Sequence, residues 1–369
     1  MFWGSRLWSS VPSDIVEARA GAKGADRSGE GVVRSRFDEA VAHYVGLPKV
    51  ELHLHLEGAI PLDALWTLMA KYGGDPDVVD RSQLEDRFAY RDFAHFLEVW
   101  NWKNQYICEV EDFTLIAEAV ARDLARQNIR YVEAFYSPSD FARHALGTQE
   151  ITMAVRRGLD RVPDVEVALI ADLVRNRGAE HGMRNLAEIA EVRDAGVIGI
   201  GIGGSEAEFP PEPFARVYER ARAQGFHTTA HAGEGAGATS VWGAVRDLRA
   251  ERIGHGTRAG EDADLLEYLA DRQVPIEMCP LSNVRTAVVP SLREHPVRRY
   301  AEAGLLVTVN TDDPKMFGNT LAEEYAGLET VLGMSRDAVH ELMLNGIRGS
   351  WLPASRKDDM VAAFRHDGV

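Results

Sequence analysis

Thr228-Thr-Ala-His-Ala-Gly-Glu-Gly235 is the segment from which the architecture of this chain can be inferred. It belongs to an apolar, β-branched run over 226–233, which is typical of a buried strand. A strand that ends on a histidine can present its imidazole to a metal ion. Gly233 lets the backbone bend, so that Glu234 can reach a water on that metal without being a ligand itself. Alone, this segment is weak evidence for a metal site. It becomes strong evidence because other predicted strands also end in polar residues.

A second segment, Lys49-Val-Glu-Leu-His-Leu-His-Leu56, alternates strictly between polar and apolar residues. Alternation with a period of two is the pattern of a strand, and it places His53 and His55 on the same side. Such a pair could also lie on the exposed polar face of an antiparallel strand. The choice between these alternatives depends on whether the rest of the chain places this strand in a parallel or in an antiparallel sheet.

The remainder of the chain repeats one unit, a short apolar strand followed by a turn and an amphipathic helix, such as 114–127 or 261–272. The eight predicted strands are 49–56, 129–137, 166–174, 197–204, 226–233, 251–256, 275–283 and 305–313. Strands that alternate with helices favour a parallel sheet, and eight such units favour an α/β fold of the (β/α)8 TIM-barrel type. The alternative is a doubly wound open sheet, but no Gly-rich dinucleotide motif follows the first strand.

The ends of the chain differ from this repeat. Residues 1–36 show no sustained period and are predicted to be a disordered tail, or an extension upstream of the true start. One barrel domain is therefore expected over 37–369. Its last part is predicted to form a C-terminal helical cap, with helices at 321–332, 337–346 and 357–364.

A helical insertion is predicted over about 61–108, between the first two strands. Phe93, Phe96, Leu97 and Trp100 follow one another at spacings of three and four, which puts them on one helical face. This face could pack on the core like that of any helix. It could also form an apolar lid over the end of the first strand, with Phe93 and Phe96 against the substrate, and the two alternatives are compatible.

The composition excludes several classes of function. The chain has 57 acidic and 41 basic residues and a net charge of -16, which argues against a general nucleic-acid binder and for a soluble protein whose substrate is neutral or enters a locally different field. No apolar run approaches the length that crosses a membrane. The two cysteines, Cys108 and Cys279, are too few for a disulfide framework, and the first residues lack the apolar region of a signal peptide, so a cytoplasmic location is expected. The oligomeric state cannot be inferred from these features.

Polar residues cluster at the predicted carboxyl ends of the strands, where a barrel of this type carries its catalytic groups. Three imidazoles and one carboxylate form a mixed set of nitrogen and oxygen ligands suited to Zn²⁺ with a coordinated water. These four candidate ligands are His53, His55, His231 and Asp312. Any one of these histidines alone is more often an ordinary polar residue, but ligand-type residues at several strand ends form a specific pattern.

At these positions the chain resembles the adenosine/adenine deaminase family of metal-dependent hydrolases. The resemblance runs from about Leu47 to Trp351 and is carried by ordered motifs. They are His53-Leu-His-Leu-Glu-Gly58, Thr229-Ala-His-Ala-Gly-Glu234, Arg252-Ile-Gly-His-Gly256, Cys279-Pro-Leu-Ser-Asn283 and Asn310-Thr-Asp-Asp-Pro314.

The resemblance implies a role for each matching residue. It implies one Zn²⁺ per chain on the four candidate ligands, of which His55 also borders the substrate. Glu234 would give a proton to the purine N1 while water attacks C6, and His255 would orient that water. Asp313 would bind N7, and the backbone N–H of Gly204 would bind N3. General chemistry supports the same roles. Attack on C6 destroys the aromaticity of the ring, and a proton on N1 makes that attack more favourable.

Two features of the sequence limit the number of metal ions and the class of zinc deaminase. Barrel relatives with two metals generally need a carboxylated lysine on the fourth strand, and 197–204 contains no lysine, which favours one metal. A different class of zinc deaminases uses a Pro-Cys-x-x-Cys signature. Cys279 precedes its proline and has no second cysteine nearby, so that class is excluded.

The identity of the substrate stays open in the sequence. Glu57 stands where many adenosine deaminases have Asp for the ribose 5′ end, which resembles adenine deaminases, whereas Gly254 resembles the nucleoside enzymes. Glu57 is predicted to point into the site, where it would contact a ribose, or to lie behind it and pair with an arginine.

The expected activity is the deamination of adenosine or 2′-deoxyadenosine to the 6-oxopurine and ammonia. The alternative within the class is adenine or a modified adenine nucleoside such as aminodeoxyfutalosine. Two further alternatives are a zinc hydrolase for a cyclic amide or ester and a catalytically inactive purine-binding homologue. The combination of Glu234, His255 and Asp313 opposes the first of these, and the complete ligand set opposes the second.

Overall fold

The structure, a computed structural model, describes residues 36–91 and 93–369, without the side chains of residues 93, 94, 142 and 143. Eight strands pair side by side in chain order, and every pair is parallel. The strands are β1 (Lys49–His55), β2 (Ile129–Tyr136), β3 (Glu166–Asp172), β4 (Val197–Gly201), β5 (His227–Ala232), β6 (Arg252–His255), β7 (Ile276–Met278) and β8 (Val307–Val309). The predicted TIM barrel is confirmed.

The barrel closes through the residues that follow β8 rather than through β8 itself. Asp312 forms an isolated parallel bridge with Leu54 of β1. The N–H of His55 donates to the carbonyl of Asp312 at 2.9 Å, and the N–H of Asp312 donates to the carbonyl of His53 at 3.1 Å. The seam of the barrel therefore lies between three of the four candidate metal ligands.

Helices surround the strands in the described part of the chain, and they begin with one that precedes β1. They are α1 (Arg36–Gly46), α2 (Leu62–Lys71), α3 (Arg81–Arg87), α4 (Phe93–Asn104), α5 (Val110–Arg126), α6 (Thr148–Leu159), α7 (Ala179–Glu191), α8 (Ala215–Ala223), α9 (Ala238–Gly243), α10 (Ala263–Arg272), α11 (Pro280–Arg285), α12 (Val297–Glu302), α13 (Pro314–Phe317), α14 (Leu321–Thr330), α15 (Arg336–Gly349) and α16 (Ala354–His366). None of these helices has both the length and the apolar content that a bilayer crossing requires.

The two sides of β1 have different partners. Val50 and Leu52 pack against Leu344 and Ile347 of α15, so the apolar residues of the alternating pattern face the helices. The polar residues between them face other barrel segments, and His53, for example, contacts Glu277 of β7. The period of two in the sequence thus separates a packing side from a site-building side.

A buried ion-pair network fills the barrel below the site. The guanidinium of Arg252 is paired with Glu133 and lies 2.5 Å from Glu277, and all three side chains are shielded from solvent. Glu277 in turn contacts Nδ1 of His53 at 2.8 Å. The network connects the interior of the barrel to the candidate metal ligands.

Several predicted strands are shorter in the structure. β7 ends at Met278, because Pro280 occupies the first turn of α11, where a missing N–H is harmless. Ser282 and Asn283, predicted at the end of a strand, lie on that short helix instead. β4 likewise ends at Gly201 and leaves the Gly203-Gly204 pair in a loop, where Gly204 has a φ of 101°.

The last two helices belong to the outside of the barrel. α15 packs on β8 and β1 and so completes the helical layer of the barrel. α16 follows it, and its Arg356 pairs with Glu166 at the first residue of β3, which places α16 at the amino-terminal end of the strands. The predicted tail lies outside the described residues, except for Arg36, which begins α1.

Candidate active site

The four candidate metal ligands converge at the carboxyl ends of β1 and β5 and just beyond β8. Their ligand atoms all lie within 4.8 Å of one another, and all four residues are buried. Nε2 of His231 lies 3.1 Å from Nε2 of both His53 and His55. The carboxylate Oδ1 of Asp312 lies 3.3 Å from Nε2 of His55 and 3.6 Å from Nε2 of His53.

These separations fit a single tetrahedral metal. Ligand atoms held at about 2.0–2.1 Å from one zinc ion stand roughly 3.3 Å apart, which is the spacing found here. Two overlapping sets also occur among the described residues, one with His53, His255 and Cys279 and one with Glu234, His255 and Asp312. Burial raises the pKa of the Cys279 thiol well above its usual value, which disfavours the thiolate that a metal needs.

Neighbouring polar groups fix the orientation of the ligands. Nδ1 of His53 donates a hydrogen bond to the carboxylate of Glu277, which leaves Nε2 of His53 free to bind a metal. The hydroxyl of Ser282 donates to Oδ2 of Asp312 at 2.6 Å. Asp312 itself adopts a left-handed conformation with a φ of 66°. This conformation is uncommon outside glycine and is held by the hydrogen bonds that close the barrel.

His255 stands next to the ligands and is also left-handed, with a φ of 61°. Asn283 contacts its Nδ1 at 3.1 Å, while the amide oxygen of Asn283 accepts from the hydroxyl of Thr257 at 2.8 Å and faces His295 at 3.1 Å. With its oxygen occupied, Asn283 donates through its NH₂ group. The remaining proton of His255 is therefore on Nε2, and burial lowers the pKa of His255 to about 3, so the ring is neutral.

Glu234 lies on the opposite side of His255, with its Oε2 at 3.6 Å from Nε2 of that ring. Burial raises the pKa of Glu234 to about 8, and the negative charges of Asp312 and Glu206 act in the same direction. A carboxyl group in this environment carries its proton at neutral pH. Gly233 before it has a φ of 80°, and a Cβ there would come within 2.7 Å of Val241, so the turn needs glycine.

A cavity of about 320 Å³ opens over this group of residues. His55, His231, Glu234, His255 and Asp312 form its floor. Its walls include Phe96, Leu97, Trp100, Asn101, Ser137, Asp140, Asp172, Val174, Asn176, Arg177, Gly203, Gly204, Ser205, Thr286, Asp313 and Phe317. The structure thus brings together most of the site residues predicted from sequence.

The predicted lid face contributes to this wall through α4. Phe96 is buried and stacks on Phe317 with ring centroids 5.2 Å apart, and Leu97 and Trp100 are half-buried. Phe93 begins α4, but its side chain lies outside the described part of the chain, as does Asp92 before it. Its expected contact with the substrate stays a prediction.

Glu57 lies behind the cavity wall rather than in it. Its Oε1 accepts from the backbone N–H of Ser137 at 2.9 Å, and Ser137 is the residue that borders the cavity. The ammonium of Lys103 donates to the carbonyl of Glu57 at 2.7 Å. Burial raises the pKa of the Glu57 carboxyl to about 7. Glu57 is not among the residues that line the cavity, and no arginine is among the hydrogen-bond partners of its side chain in the described residues. Its predicted contact with a ribose stays a prediction.

Three glycines near the site are explained by close contacts. A side chain at Gly58 would collide with the carboxylate of Asp313, and one at Gly204 would collide with Asn176. A Cβ at Gly254 would approach Cε1 of His53 to 2.8 Å. Gly254, taken from the sequence as a clue to the substrate, is therefore needed to accommodate a candidate metal ligand.

Sequence reasoning missed the residues that support the site from a distance. Glu277 and His295 contact His53 and Asn283, and Glu206 contacts the turn that carries Glu234. A carboxylate between two apolar residues, as in Ile276-Glu277-Met278, is a signal that could have identified Glu277. Arg177 and Asn176, which also line the cavity, carry no comparable signal, because they lie on a single 3₁₀ turn (Arg175–Arg177) after β3, which is too short to show a period.

A (β/α)8 barrel with a three-histidine, one-aspartate cluster and a protonated carboxyl group beside it defines a metal-dependent hydrolase. The model of the family described as adenosine deaminase matches residues 48–365. The chain belongs to the adenosine deaminase family.

Individual relatives refine this assignment. The chain is 36% identical over 322 residues to the aminodeoxyfutalosine deaminase of Streptomyces coelicolor, covering 86% of this chain and 83% of that protein. A solved adenine deaminase from Arthrobacter aurescens is 30% identical with a TM-score of 0.81, covering 87% of this chain and 98% of that one. An amidohydrolase from Burkholderia ambifaria, solved with bound Zn, is 28% identical with a TM-score of 0.83 and covers 99% of this chain and 97% of its own. The protein is a metal-dependent aminohydrolase, its activity is of the adenine-deaminating type, and its buried cluster takes zinc as cofactor.

Proposed function

We propose that this enzyme deaminates an adenine nucleoside that is extended at its 5′ end, of which aminodeoxyfutalosine is the candidate. The observation that carries the proposal is that the cavity lining includes, besides the metal cluster, the polar residues Asp140, Asn176 and Arg177, of which the last two are exposed to solvent; we call these three residues the polar rim. A volume of about 320 Å³ reaches the range of about 300–1,000 Å³ that accommodates whole drug-sized ligands. Adenine alone would occupy only the inner part.

The inner part of the cavity fits the chemistry of C6 deamination. His53, His55, His231 and Asp312 would hold the zinc ion, which would lower the pKa of water and so supply a nucleophile at neutral pH. Glu234, protonated in its buried position, donates to N1 of the purine. His255 donates a hydrogen bond from its Nε2 to the attacking oxygen and so holds it at C6. This oxygen gives up both of its protons: one returns to Glu234 and one goes to the amino group, which leaves as ammonia. The proton from Glu234 stays on N1 of the 6-oxopurine.

Two groups would hold the purine through its other nitrogens. N7 is an acceptor, so Asp313 can bind it only when protonated. Burial and the charge of Asp312 raise the pKa of Asp313 well above its usual value, which meets this requirement. N3 is also an acceptor, and the backbone N–H of Gly204, on the cavity wall, is the matching donor. The apolar face of Phe96, Leu97 and Trp100 would cover the ring and exclude water.

The rim provides the basis for choosing among substrates. Aminodeoxyfutalosine is an adenine nucleoside whose 5′ side carries an aromatic carboxylate. Arg177 borders the cavity, where its guanidinium lies 3.4 Å from Asp140 and is about one-third exposed. A substrate carboxylate could replace Asp140 as the partner of this guanidinium and form a charge-assisted ion pair with it. In a chain with a net charge of -16, such a local cation is what an anionic substrate needs.

The names of the relatives agree better with this proposal than with the adenosine or 2′-deoxyadenosine expected from sequence. Of the three relatives reported above, one is named for aminodeoxyfutalosine and one for adenine, and the third name gives no substrate. Free adenine is the second candidate, and the position of Glu57 favours it. With this carboxylate behind Ser137, the cavity lacks the acidic group that the family resemblance assigned to the ribose.

A substrate panel tests the proposal. The zinc-loaded enzyme would be assayed with aminodeoxyfutalosine, adenosine, 2′-deoxyadenosine and adenine, following the adenine absorbance band and the release of ammonia. We expect the highest kcat/KM for aminodeoxyfutalosine. A clear preference for adenine would establish the second candidate, and no turnover of any adenine compound would overturn both.

Arg177→Gln sharpens the test. Loss of a charge-assisted hydrogen bond is expected to lower kcat/KM on aminodeoxyfutalosine about tenfold or more while leaving adenosine turnover unchanged. Arg184→Gln, an exposed arginine on α7, is the matched control. Equal losses on both substrates would show that Arg177 does not recognise the carboxylate.

A further inference from the structure

One buried carboxylate outside the cavity accepts hydrogen bonds from four consecutive backbone groups. Oε1 of Glu206 accepts from the N–H of Gly233 at 2.6 Å. Its Oε2 accepts from the N–H groups of Glu234 at 3.0 Å, Gly235 at 2.7 Å and Ala236 at 3.1 Å. Glu206 is only 5% exposed. Within the described residues, it is the acceptor that the structure provides for all four groups.

We propose that Glu206 is a positioning residue, which fixes the turn at 233–236 and thereby aims the side chain of Glu234 at the substrate. This inference rests on the proposed role of Glu234 as proton donor. In a strand, successive N–H groups point to opposite sides, so four that converge on one anion define a single compact turn. The side chain of Glu234 leaves the middle of that turn, and its direction follows from the turn's conformation.

Glu206 is itself held in place by the neighbouring loops. The N–H of Ser205 donates to Oδ1 of Asn176 at 2.8 Å, and the N–H of Gly203 donates to Oδ1 of Asp172 at 2.6 Å. The loop after β4 is thus attached to the end of β3 before it reaches the turn after β5. Glu206 connects a rigid support to the turn, as the precise placement of a catalytic group requires.

The same loop also borders the substrate cavity. Gly203 and Gly204 lie in its wall, three and two residues before Glu206. A purine held by the N–H of Gly204 would therefore be placed relative to the loop that fixes Glu234. Glu206 would set the distance between the proton donor and the ring nitrogen that receives the proton. Small errors in such a distance have large effects on rate.

The test compares Glu206→Gln with wild type in the zinc-loaded, full-length enzyme. Glutamine has the same reach, but its NH₂ group cannot accept a hydrogen bond and would face at least one N–H donor of the turn. We expect kcat to fall about tenfold or more, with KM and zinc content unchanged. We also expect faster amide hydrogen exchange at 233–236. Glu206→Asp, which keeps the charge with a shorter reach, should give an intermediate kcat.

Glu261→Gln is the matched control, because Glu261 accepts from the N–H of Ala238, just beyond the turn, and from Arg258, but from none of the N–H groups at 233–236, and its side chain is partly exposed. The proposal is overturned if Glu206→Gln keeps the wild-type kcat, if its loss of activity follows loss of zinc, or if exchange at 233–236 does not change. If Glu206→Gln does not fold, the same criteria apply to Glu206→Asp. In the wild type, rapid exchange of the Glu234, Gly235 and Ala236 amides would also overturn it.

Two outcomes separate this inference from the proposed function. If the wild type deaminates nothing in the substrate panel, the proposed function fails, and the exchange measurements still test whether Glu206 fixes the turn. If Glu234→Gln retains full activity, Glu234 is not the proton donor, and the catalytic part of the inference falls with it.

Discussion

His53 has a different neighbour on each side of its ring: its Nε2 faces Nε2 of His231 at 3.1 Å, and its Nδ1 donates to Glu277 at 2.8 Å. Glu277 is held in turn by Arg252. Although burial alone would raise the pKa of Glu277, Arg252 and His53 hold it below its usual value, so the carboxylate is charged. A charged acceptor fixes the tautomer of His53 and increases the basicity of its free nitrogen.

Removing that charge is expected to weaken zinc binding. For Glu277→Gln we predict a zinc dissociation constant about 10–100-fold higher than in wild type. Competition with a chromophoric chelator measures it without any enzyme assay. Glu324→Gln is the control, because Glu324 is equally buried and bonds to the Leu281 backbone instead of a ligand. Equal zinc affinities for wild type and Glu277→Gln would contradict the prediction.

Glu234→Gln tests the proposed proton donor. We predict that the variant retains one zinc per chain and that its kcat falls by a factor on the order of 10² or more, because an amide cannot supply the proton to N1. Metal analysis and steady-state kinetics on the same preparation are the measurements. Wild-type kcat should also fall as the pH rises through about 8, since Glu234 loses its proton there. Retained activity in the variant would show that a group other than Glu234 donates the proton.

At the scale of single residues, the sequence predicted those site residues whose position follows from the strand to which they belong. His53 and His55 follow from alternation, and His231 from the end of an apolar run. Glu57 obeyed the same alternation, yet its side chain is turned behind Ser137, because β1 has ended at His55 and the strand pattern no longer holds. Glu206 could not be predicted, since its partners lie 27 to 30 residues away and only the folded loops bring them together.

Among the helices, α4 bears directly on catalysis because its apolar face lines the cavity. Phe96 packs on Phe317 and also lies 5.4 Å, ring to ring, from Tyr90, so its removal would disturb the core as well as the site. Leu97 lines the cavity but is only half-buried. It is the better residue with which to separate substrate binding from stability.

For Leu97→Ala we predict a KM about tenfold higher, because each buried CH₂ that contacts the substrate contributes about 0.8 kcal/mol. The melting temperature should change little. Steady-state kinetics and thermal unfolding are measured together, with Leu115→Ala on the outer face of α5 as control. Unchanged kinetics with a large loss of stability would make α4 an ordinary core helix rather than a lid.

The ends of the elements were harder to predict than their existence. The apolar run at 275–283 continues past the last ladder hydrogen bond, so composition alone could not place the end of β7 at Met278. Pro280 was the available signal for a helix start. The final segment, predicted to reach Asp313 as a strand, leaves the sheet after Val309. It turns so that Asp312 can bridge to β1, and no local pattern records that distant pairing.

Across the whole molecule, the repeated strand–helix unit was sufficient to predict the barrel, because eight such units have few other ways to bury both faces of a parallel sheet. The predicted zinc site then joins distant parts of that barrel. Its ligands come from β1, from β5 and from the segment after β8 that closes the seam.

Removing the metal should therefore destabilise the fold as well as abolish activity. A ligand that binds only the native state, at 100 times its dissociation constant, stabilises it by about 2.7 kcal/mol. We predict a lower melting temperature after dialysis against a chelator and its recovery when zinc is added back. Differential scanning calorimetry, with metal content verified at each step, is the measurement. Identical unfolding curves with and without zinc would show that the ligand cluster does not depend on the metal for its stability.

The left-handed backbone at Asp312 and His255 has a consequence for anyone who engineers this enzyme. Each residue costs the folded state free energy that glycine would not, of the order of 1–3 kcal/mol. Glycine at His255 would remove this cost without removing a zinc ligand, whereas glycine at Asp312 would also lose the stabilisation that bound zinc provides. A laboratory selection for heat resistance alone therefore does not protect His255, the neutral imidazole beside the metal. Variants that survive higher temperatures would then include ones that have lost the reaction, so each round of selection needs a deamination assay beside the thermal challenge.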